Sequence, residues 1–371
     1  MQIGVPKEIK NFESRIGMTP ANVRELTSHG HSVLVETNAG LGIGSDDDVY
    51  RQAGAEIVPT AADVFARADM IVKVKEPQPG ECKMLRPGQI LFTYLHLAPD
   101  PEQARLLKES GCIAIAYETV TDAHGGLPLL APMSEVAGRM AVQAAARCLE
   151  NVCGGSGILM GGVPGVRPAK VTVIGGGVVG TNAALMALGL HADVTILDRS
   201  LPRLQELDAL YGDRLRTVFS NQENLEDHVL NSDVVIGAVL IPGASAPKLV
   251  TKDMLGKMRT GSVLVDVAID QGGCFETSKA TTHADPIYNV DGIVHYCVAN
   301  MPGAVAHTSA FALNNATLPF IMQLANKGWK EALRANAHLL NGLNVVDGQI
   351  THEAVAIALD DAYTPAINTL N

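Results

Sequence analysis

The strongest constraint on the fold is a glycine-rich turn between an apolar strand and an apolar helix. Residues 171–174 read Val-Thr-Val-Ile, and residues 175–180 fit the pattern G-x-G-x-x-G. A match to this pattern alone is weak evidence. Here, however, an uncharged helix is predicted over residues 181–190, and the strand after it ends in Asp198. The combination is typical of a Rossmann unit, in which the turn binds the pyrophosphate of a dinucleotide.

Each glycine of the turn meets a physical requirement. Gly175 permits the tight turn, Gly177 lets the backbone approach the pyrophosphate, and Gly180 lets the helix pack closely on the strand. The helix N-terminus offers unpaired N–H groups and a positive dipole end to the anion. Asp198 can accept hydrogen bonds from the adenosine ribose and would repel a 2′-phosphate, which favours NAD. Arg199 leaves NADP as an alternative cofactor, because an arginine at this position could tolerate the 2′-phosphate.

A second α/β series surrounds this turn. Its strands are predicted over residues 170–174, 193–197, 216–219, 233–239, 262–267 and 293–297. Ligands bind beyond the carboxyl ends of the strands in an open α/β sheet. With the turn residues, this rule selects the following positions for cofactor binding: Val178, Val179, Ser220, Val239, Leu240, Val267, Ala268, Ile269, Asp270, Val298, Asn300 and Met301.

The first third of the chain alternates strands with amphipathic helices in the same way. Strands are predicted over residues 2–5, 32–36, 70–74, 90–95 and 113–117. This alternation predicts a parallel, doubly wound sheet. Ser134 is predicted as the N-cap of a long helix over residues 135–151 that leaves this domain.

The sequence after residue 303 is predicted to be helical to its end. It is too short for an independent α/β domain, so we expect it to pack back on the first domain. The predicted fold class is therefore α/β, with two doubly wound parallel-sheet domains, the second of them a Rossmann dinucleotide-binding domain. Residues 1–130 with 304–371 would form the substrate domain, and residues 131–303 the NAD-binding domain.

Composition narrows the classes of function. The 371 residues suggest two domains at about 150 residues each. Lys and Arg number 28 against 39 Asp and Glu, a net charge of −11 without a basic run, which argues against nucleic-acid binding. The uncharged stretch over residues 171–190 contains clustered glycines, so a buried strand, turn and helix explain it better than a membrane span. Small-molecule chemistry is the favoured class.

The cysteines and the chain start indicate the compartment. No basic segment followed by an apolar core opens the chain, so no signal peptide is expected. None of the six cysteines forms a C-x-x-C motif or pairs with histidine at zinc spacing. Buried free thiols in a reducing compartment are the favoured interpretation. We therefore expect a cytoplasmic protein without a membrane partner.

Three polar residues follow predicted strands of the first domain. Arg15 can bind a carboxylate bidentately, Lys75 can neutralise a second oxygen, and His96 suits proton transfer near neutral pH. Together they predict a pocket for an acidic substrate, which Asp270 of the second domain could face. The alternatives are solvated surface charges for Arg15 and Lys75, a structural role for His96, and a turn cap for Asp270.

Several motifs resemble those of the alanine dehydrogenases. The same signature extends to the nucleotide-binding subunit of proton-translocating transhydrogenases and to saccharopine-forming lysine dehydrogenases. The resemblance covers essentially the whole chain. It rests on Gly-Val-Pro-Lys-Glu-Ile-Lys at residues 4–10 with Glu13 and Arg15, Val-Lys-Val-Lys-Glu-Pro at 72–77, Tyr-Leu-His-Leu-Ala at 94–98, Met-Ser-Glu-Val-Ala-Gly-Arg at 133–139 and Val-Ala-Ile-Asp-Gln-Gly-Gly at 267–273.

The resemblance implies a role for each matching residue. Arg15 and Lys75 would bind the substrate carboxylate and carbonyl region, with Lys75 also in the catalytic group. His96 would donate and accept the proton, and Asp270 would be the second catalytic residue. The strand-end segments would contact NAD, together with Ser134, Asp198, Arg203, Ser220 and Lys279. Position 203 is basic in the family but not fixed in type.

The resemblance also implies a reaction and an assembly. The reaction is the reversible oxidative deamination of L-alanine to pyruvate and ammonia, and the assembly is a homohexamer. Some members have a magnesium site in the helical tail, but residues 323–327 here offer no Glu or His, so no metal is expected. The alternatives are a lysine- or saccharopine-type dehydrogenase, a transhydrogenase nucleotide module and, least favoured, a binding protein regulated by NAD.

Overall fold

The computed structural model describes residues 1–239 and 246–370. The chain divides into two compact units, Met1–Met133 with Val305–Asn371, and Ser134–Ala304. In chain order the strands are β1 (Gln2–Val5), β2 (Ser32–Glu36), β3 (Glu56–Val58), β4 (Met70–Val72), β5 (Ile90–Thr93), β6 (Ile113–Ala116), β7 (Lys170–Ile174), β8 (Asp193–Asp198), β9 (Arg216–Phe219), β10 (Val234–Gly237), β11 (Val263–Asp266), β12 (Ile287–Val290), β13 (Ile293–Tyr296), β14 (Leu343–Val346) and β15 (Gln349–Ile350).

Helices lie between most of these strands. In chain order they are α1 (Pro20–Ser28), α2 (Asp47–Gln52), α3 (Ala61–Arg67), α4 (Pro79–Cys82), α5 (Pro101–Ser110), α6 (Ala131–Cys148), α7 (Val178–Gly189), α8 (Leu201–Tyr211), α9 (Gln222–Leu230), α10 (Lys252–Leu255), α11 (Ala306–Lys327), α12 (Trp329–Ala335), α13 (Ala337–Leu340) and α14 (Glu353–Leu359).

The sheet of the first unit has the strand order β15-β14-β6-β5-β4-β1-β2-β3. The pairings from β3 to β6 are parallel, whereas β14 runs antiparallel to β6 and β15 antiparallel to β14. The tail thus returns to the first unit, and the α/β class is confirmed. The expectation that the tail is helical throughout was wrong over β14 and β15. Asp347 and Gly348 both have positive φ, as a tight hairpin turn requires, and this dipeptide was the missed signal.

The sheet of the second unit has the order β12-β13-β11-β10-β7-β8-β9. All its pairings are parallel except that of β12 with β13. The chain passes from β7 to β8 on one side, while β10 pairs with β7 on the other. The loop after β7 therefore lies at the point where the strand order reverses, which is where open α/β sheets bind ligands.

Several predicted boundaries differ from the structure. The strands predicted to end at residues 74, 95 and 239 stop two residues earlier, because the chain leaves the sheet to form the loops described below. Helix α6 begins at Ala131, three residues before Ser134, so the prediction of Ser134 as its N-cap was wrong. Pro132 fits the first helical turn, where the backbone N–H groups have no partner within the helix.

Candidate active site and dinucleotide site

One edge of the first unit's sheet carries the predicted substrate residues. Strands β1, β4, β5 and β6 are parallel neighbours, so the loops at their carboxyl ends share one edge. Arg15 follows β1, Lys75 follows β4 and His96 follows β5. The structure thus brings the three loops to the same edge, as the spacing of the strands predicted.

Arg15 is held in a buried, charged state. It is only 2% exposed. Glu13 binds the guanidinium bidentately, with Nε 2.7 Å from Oε1 and Nη2 2.6 Å from Oε2, and Nη1 lies 3.0 Å from Sδ of Met133. Burial opposes the charge, but the Glu13 carboxylate outweighs it and raises the pKa of Arg15. Arg15 is therefore not a solvated surface charge, and its orientation is fixed before any ligand binds.

The main chain of Lys75 is fixed by a buried ion cluster. Nζ of Lys73 lies 3.2 Å from Oε2 of Glu8 and 2.7 Å from Oε1 of Glu81, and Lys73 is fully buried. Oε1 of Glu8 also accepts the N–H of Val74 at 2.7 Å and that of Lys75 at 3.4 Å. Burial raises the pKa of Glu8 although Lys73 opposes this, and the two carboxylates outweigh burial to raise the pKa of Lys73. The half-buried Lys75 side chain thus starts from a rigid backbone.

His96 sits on a left-handed turn beside a carboxylate. Its φ is 48°, and its side chain is 48% exposed. Its ring stacks on Tyr94, with centroids 5.8 Å apart and planes 8° apart. Burial raises the pKa of Tyr94, whose hydroxyl donates to the carbonyl of Leu129. Glu118, after β6, lies 3.9 Å from Nδ1 of His96. The imidazole is therefore accessible at a fixed place on the sheet edge.

The glycine-rich turn has the shape that the motif requires. Gly175 has a φ of 103°, and a Cβ on Gly180 would lie 1.8 Å from the carbonyl oxygen of Gly175. A Cβ on Gly177 would meet nothing within 4 Å, so this backbone faces open space at the N-terminus of α7. Val178 is exposed and Val179 is half-buried. The residues present therefore fit a pyrophosphate against the first turn of α7.

Asp198 and Arg203 both contact this turn. Oδ2 of Asp198 accepts the N–H of Gly176 at 2.6 Å, and Oδ1 accepts that of Ser200 at 2.7 Å. Nε of Arg203 donates to the carbonyl of Gly176 at 2.7 Å, and Nη2 donates to Oγ1 of Thr181 at 2.8 Å. An arginine charge beside the turn would favour a bound anion. Asp198 at the end of β8 keeps lone pairs for ribose hydroxyls, because a carboxylate can accept about four hydrogen bonds.

Ser134 lies on the face of α6 that approaches the turn. Gly138, one helical turn further on, packs so closely that its Cβ would lie 2.2 Å from the carbonyl oxygen of Val179. Residues four apart share a face of a helix. Ser134 is half-buried on that face. The sequence signal for this contact is Gly138 itself, because an isolated glycine inside a helix can indicate close packing.

Asp270 is exposed in a short 3-10 helix, Val267–Gln271, after β11. Asp266 caps this helix: Oδ1 accepts the N–H of Ala268 at 3.0 Å, and Oδ2 accepts that of Cys274 at 2.8 Å. Within the described residues the carboxylate of Asp270 makes no hydrogen bond. The cap is therefore Asp266, which the sequence reading did not single out, and Asp270 is available for another role.

The other predicted cofactor residues divide by burial. Val298 and Met301 have side chains in the core of the second unit, so their backbones alone could reach a ligand. Ala268 and Ile269 are buried, whereas Lys279 is exposed, and its N–H donates to the Tyr288 hydroxyl. Leu240 lies outside the described residues. The remaining predicted positions are half-buried at strand ends: Ser220, Val239, Val267 and Asn300.

Within residues 1–239 and 246–370, no group of three or more His, Cys, Asp or Glu side chains could hold a metal ion. No helix in the same residues is long and apolar enough to cross a bilayer.

Comparison with known proteins gives a consistent result over the whole chain. Residues 4–137 match the model "Alanine dehydrogenase/PNT, N-terminal domain", and residues 141–353 match "Alanine dehydrogenase/PNT, C-terminal domain". An alanine dehydrogenase of Halomonas elongata is 60% identical over 370 residues, covering 100% of both chains. The chain belongs to the alanine dehydrogenase/PNT family.

Two solved structures extend this result. An L-alanine dehydrogenase matches with a TM-score of 0.94 and 52% identity, covering 97% of this chain and 99% of its own. A transhydrogenase from Sinorhizobium meliloti matches with a TM-score of 0.81 and 27% identity, covering 95% of this chain and 100% of its own. The predicted family and the expectation of an enzyme of the alanine dehydrogenase type are confirmed. The family implies a dinucleotide cofactor.

Proposed function

We propose that the chain is an NAD-dependent L-alanine dehydrogenase, which converts L-alanine reversibly to pyruvate and ammonia. The observation that carries this proposal is the pairing of a buried, pre-oriented Arg15 with an accessible His96 at one sheet edge. An arginine held in this way recognises a carboxylate, and a histidine on the same sheet edge can transfer a proton. The relatives named alanine dehydrogenase support the same substrate.

NAD is the proposed cofactor. The turn at residues 175–180 and the first turn of α7 would hold its pyrophosphate, and Asp198 its adenosine ribose. Arg203, Ser134, Ser220 and Lys279 would make further contacts, with the strand-end residues Val239, Val267, Ala268, Ile269, Val298, Asn300 and Met301. When bound, the nicotinamide accepts a hydride from Cα of the substrate. The negative charge of Asp198 opposes a 2′-phosphate, which favours NAD over NADP.

The residues of the first unit would bind and orient the substrate. Arg15 holds the carboxylate, so that the Cα–H bond has one orientation. Lys75 compensates the charge of the carbonyl oxygen. After hydride loss, water adds to the carbon of the resulting substrate imine, and His96 takes a proton from that water. His96 then returns the proton to the nitrogen as the C–N bond breaks and ammonia leaves, with Asp270 proposed as the second group in these proton transfers.

The test is an activity assay of the purified chain with a panel of amino acids, in which the formation of NADH is measured. Alanine should give the highest kcat/KM. Higher kcat/KM on lysine with 2-oxoglutarate would favour a saccharopine-type dehydrogenase, and no alanine-dependent NADH from the chain alone would favour a transhydrogenase module. His96→Ala should lower kcat/KM by roughly 10²–10⁴-fold while NAD binding persists. Near-normal turnover in this variant would exclude His96 as the acid–base group.

The assembly and the compartment are further parts of the proposal. The family resemblance supports a homohexamer, which light scattering of the purified chain can test. The six unpaired cysteines support a reducing compartment such as the cytoplasm.

A further inference from the structure

Glu118 holds the loop that carries His96. It follows β6, which pairs in parallel with β5, the strand that leads into His96. Both oxygens of its carboxylate lie 3.2 Å from the N–H nitrogen of Leu95, and Oε1 accepts the N–H of His96 at 2.6 Å. The same Oε1 is 3.9 Å from Nδ1 of the imidazole. One half-buried carboxylate therefore contacts both the backbone and the ring side of His96.

The backbone of His96 needs such a partner. A φ of 48° places a non-glycine residue in the left-handed region, which is unfavourable because Cβ approaches the following carbonyl oxygen. Successive N–H groups that point to one side form a concave site for an anion. Leu95 and His96 present their N–H groups in this way, and Glu118 supplies the anion from the neighbouring strand. The carboxylate thus offsets the cost of the turn.

We propose that Glu118 is the positioning residue of His96. It fixes the left-handed turn and occupies the Nδ1 side of the ring, so that Nε2 is the nitrogen presented for proton transfer. The inference rests on the proposed function, in which His96 transfers the proton. Glu118 itself does not contact the substrate in this scheme and acts through His96.

The other groups around this site do not carry a competing charge. Tyr94 stacks on the imidazole and is neutral at ordinary pH because burial raises its pKa. His352 lies just before α14 and interacts with Glu118. Burial lowers the pKa of His352, so this imidazole stays neutral to lower pH than an exposed histidine does. Arg15 is a charged neighbour of Tyr94, and its charge is paired with the bidentate carboxylate of Glu13. Within the described residues, Glu118 is the ion-pair partner of the His96 ring.

The test compares Glu118→Gln with a matched control, Asp47→Asn. The Asp47 carboxylate also holds a left-handed residue, since it accepts the N–H of Asn38, whose φ is 62°, at 2.8 Å. It lies after β2 rather than beside His96. Kinetics with alanine across pH, the Kd for NAD and the Tm are measured for both variants and for the wild type.

The Glu118→Gln variant should lose roughly 10–100-fold in kcat, with the KM for alanine and the Kd for NAD changed less than about threefold. Asp47→Asn should lower Tm and leave kcat unchanged. An unchanged kcat in Glu118→Gln would overturn the proposal, as would a loss confined to Tm.

If Glu118→Gln does not fold, Glu118→Asp provides the test. It keeps the charge but shortens the side chain, so kcat should fall while the KM for alanine stays near that of the wild type. A wild-type kcat in this variant would overturn the proposal. The wild type separates the two hypotheses: its failure to reduce NAD with alanine removes the proposed function, whereas an active wild type with unaffected variants removes only the role of Glu118.

Discussion

Lys73→Met is the substitution for which the structure gives the clearest magnitude. Lys73 is fully buried, and the side chains of its two partners, Glu8 and Glu81, are each 2% exposed. Removing the lysine leaves two carboxylates without their cation in the interior. Loss of one partner from a buried ion pair typically costs about 3–5 kcal/mol. With a urea m-value of about 2–3 kcal/mol/M, the unfolding midpoint should fall by roughly 1–2.5 M.

Tryptophan fluorescence during urea unfolding is the appropriate assay. The chain contains one tryptophan, Trp329, which lies in α12 of the first unit, so its emission reports on the unit that contains the ion cluster. The control is Lys108→Met, whose partner Asp361 and own side chain are about 30% exposed. An ion pair of this exposure contributes about 0–1 kcal/mol. Equal losses in the two variants would refute the reasoning from burial.

The pH dependence of the stability loss in Lys73→Met supplies a second test of its electrostatic cause. Burial raises the pKa of Glu8 above its ordinary 4.5 in the folded state. The folded state therefore binds more protons than the unfolded state in this range, and the stability that Glu8 contributes is lost as pH rises. Lys73 opposes this loss in the wild type but not in Lys73→Met. The difference between them should therefore be larger near pH 7 than in mild acid, and a deficit independent of pH would contradict the electrostatic cause.

Two further substitutions test the dinucleotide site. Gly180→Ala places a methyl group 1.8 Å from the carbonyl oxygen of Gly175, so the turn must move. The Kd for NAD, measured by calorimetry, should rise about tenfold or more. An unchanged Kd would show that the turn does not set the affinity. Asp198→Asn keeps the size of the side chain and removes the charge that repels a 2′-phosphate; the ratio of kcat/KM for NADP to that for NAD should rise by roughly tenfold, and an unchanged ratio would assign the preference elsewhere.

The glycine-rich turn and its sheet could be predicted because local and global signals agree there. A β-branched strand, a spaced glycine triplet and an apolar helix fix one local geometry, and that geometry occurs at one place in a doubly wound sheet. The short edge strands β3 and β12 could not be found in the same way, because they are brief and only partly buried. Strand β14 was missed for another reason, since its Asp347-Gly348 turn was read as part of a helical tail.

The residues around the site could be predicted less completely than the site itself. Arg15, Lys75 and His96 stand out because their positions after strands suggest chemistry. Glu13 and Glu118 carry no such signal, since an acidic residue in a loop is usually a solvated charge. Their roles depend on which N–H groups or cations the neighbouring strand brings within about 3 Å. The sequence of one strand and its loop does not carry that information.

Four carboxylates at the sheet edges act in the same way. Glu8 accepts from the loop after β4, Glu118 from the loop after β5, Asp198 from the turn after β7, and Asp266 from its own loop after β11. Each anion fixes backbone N–H groups that would otherwise be unpaired in a loop. Asp270, by contrast, makes no such bond in the described residues. This difference separates the acidic residues that build the loops from Asp270, so we expect replacement of Asp270 to leave its loop intact and replacement of Asp266 to disrupt it.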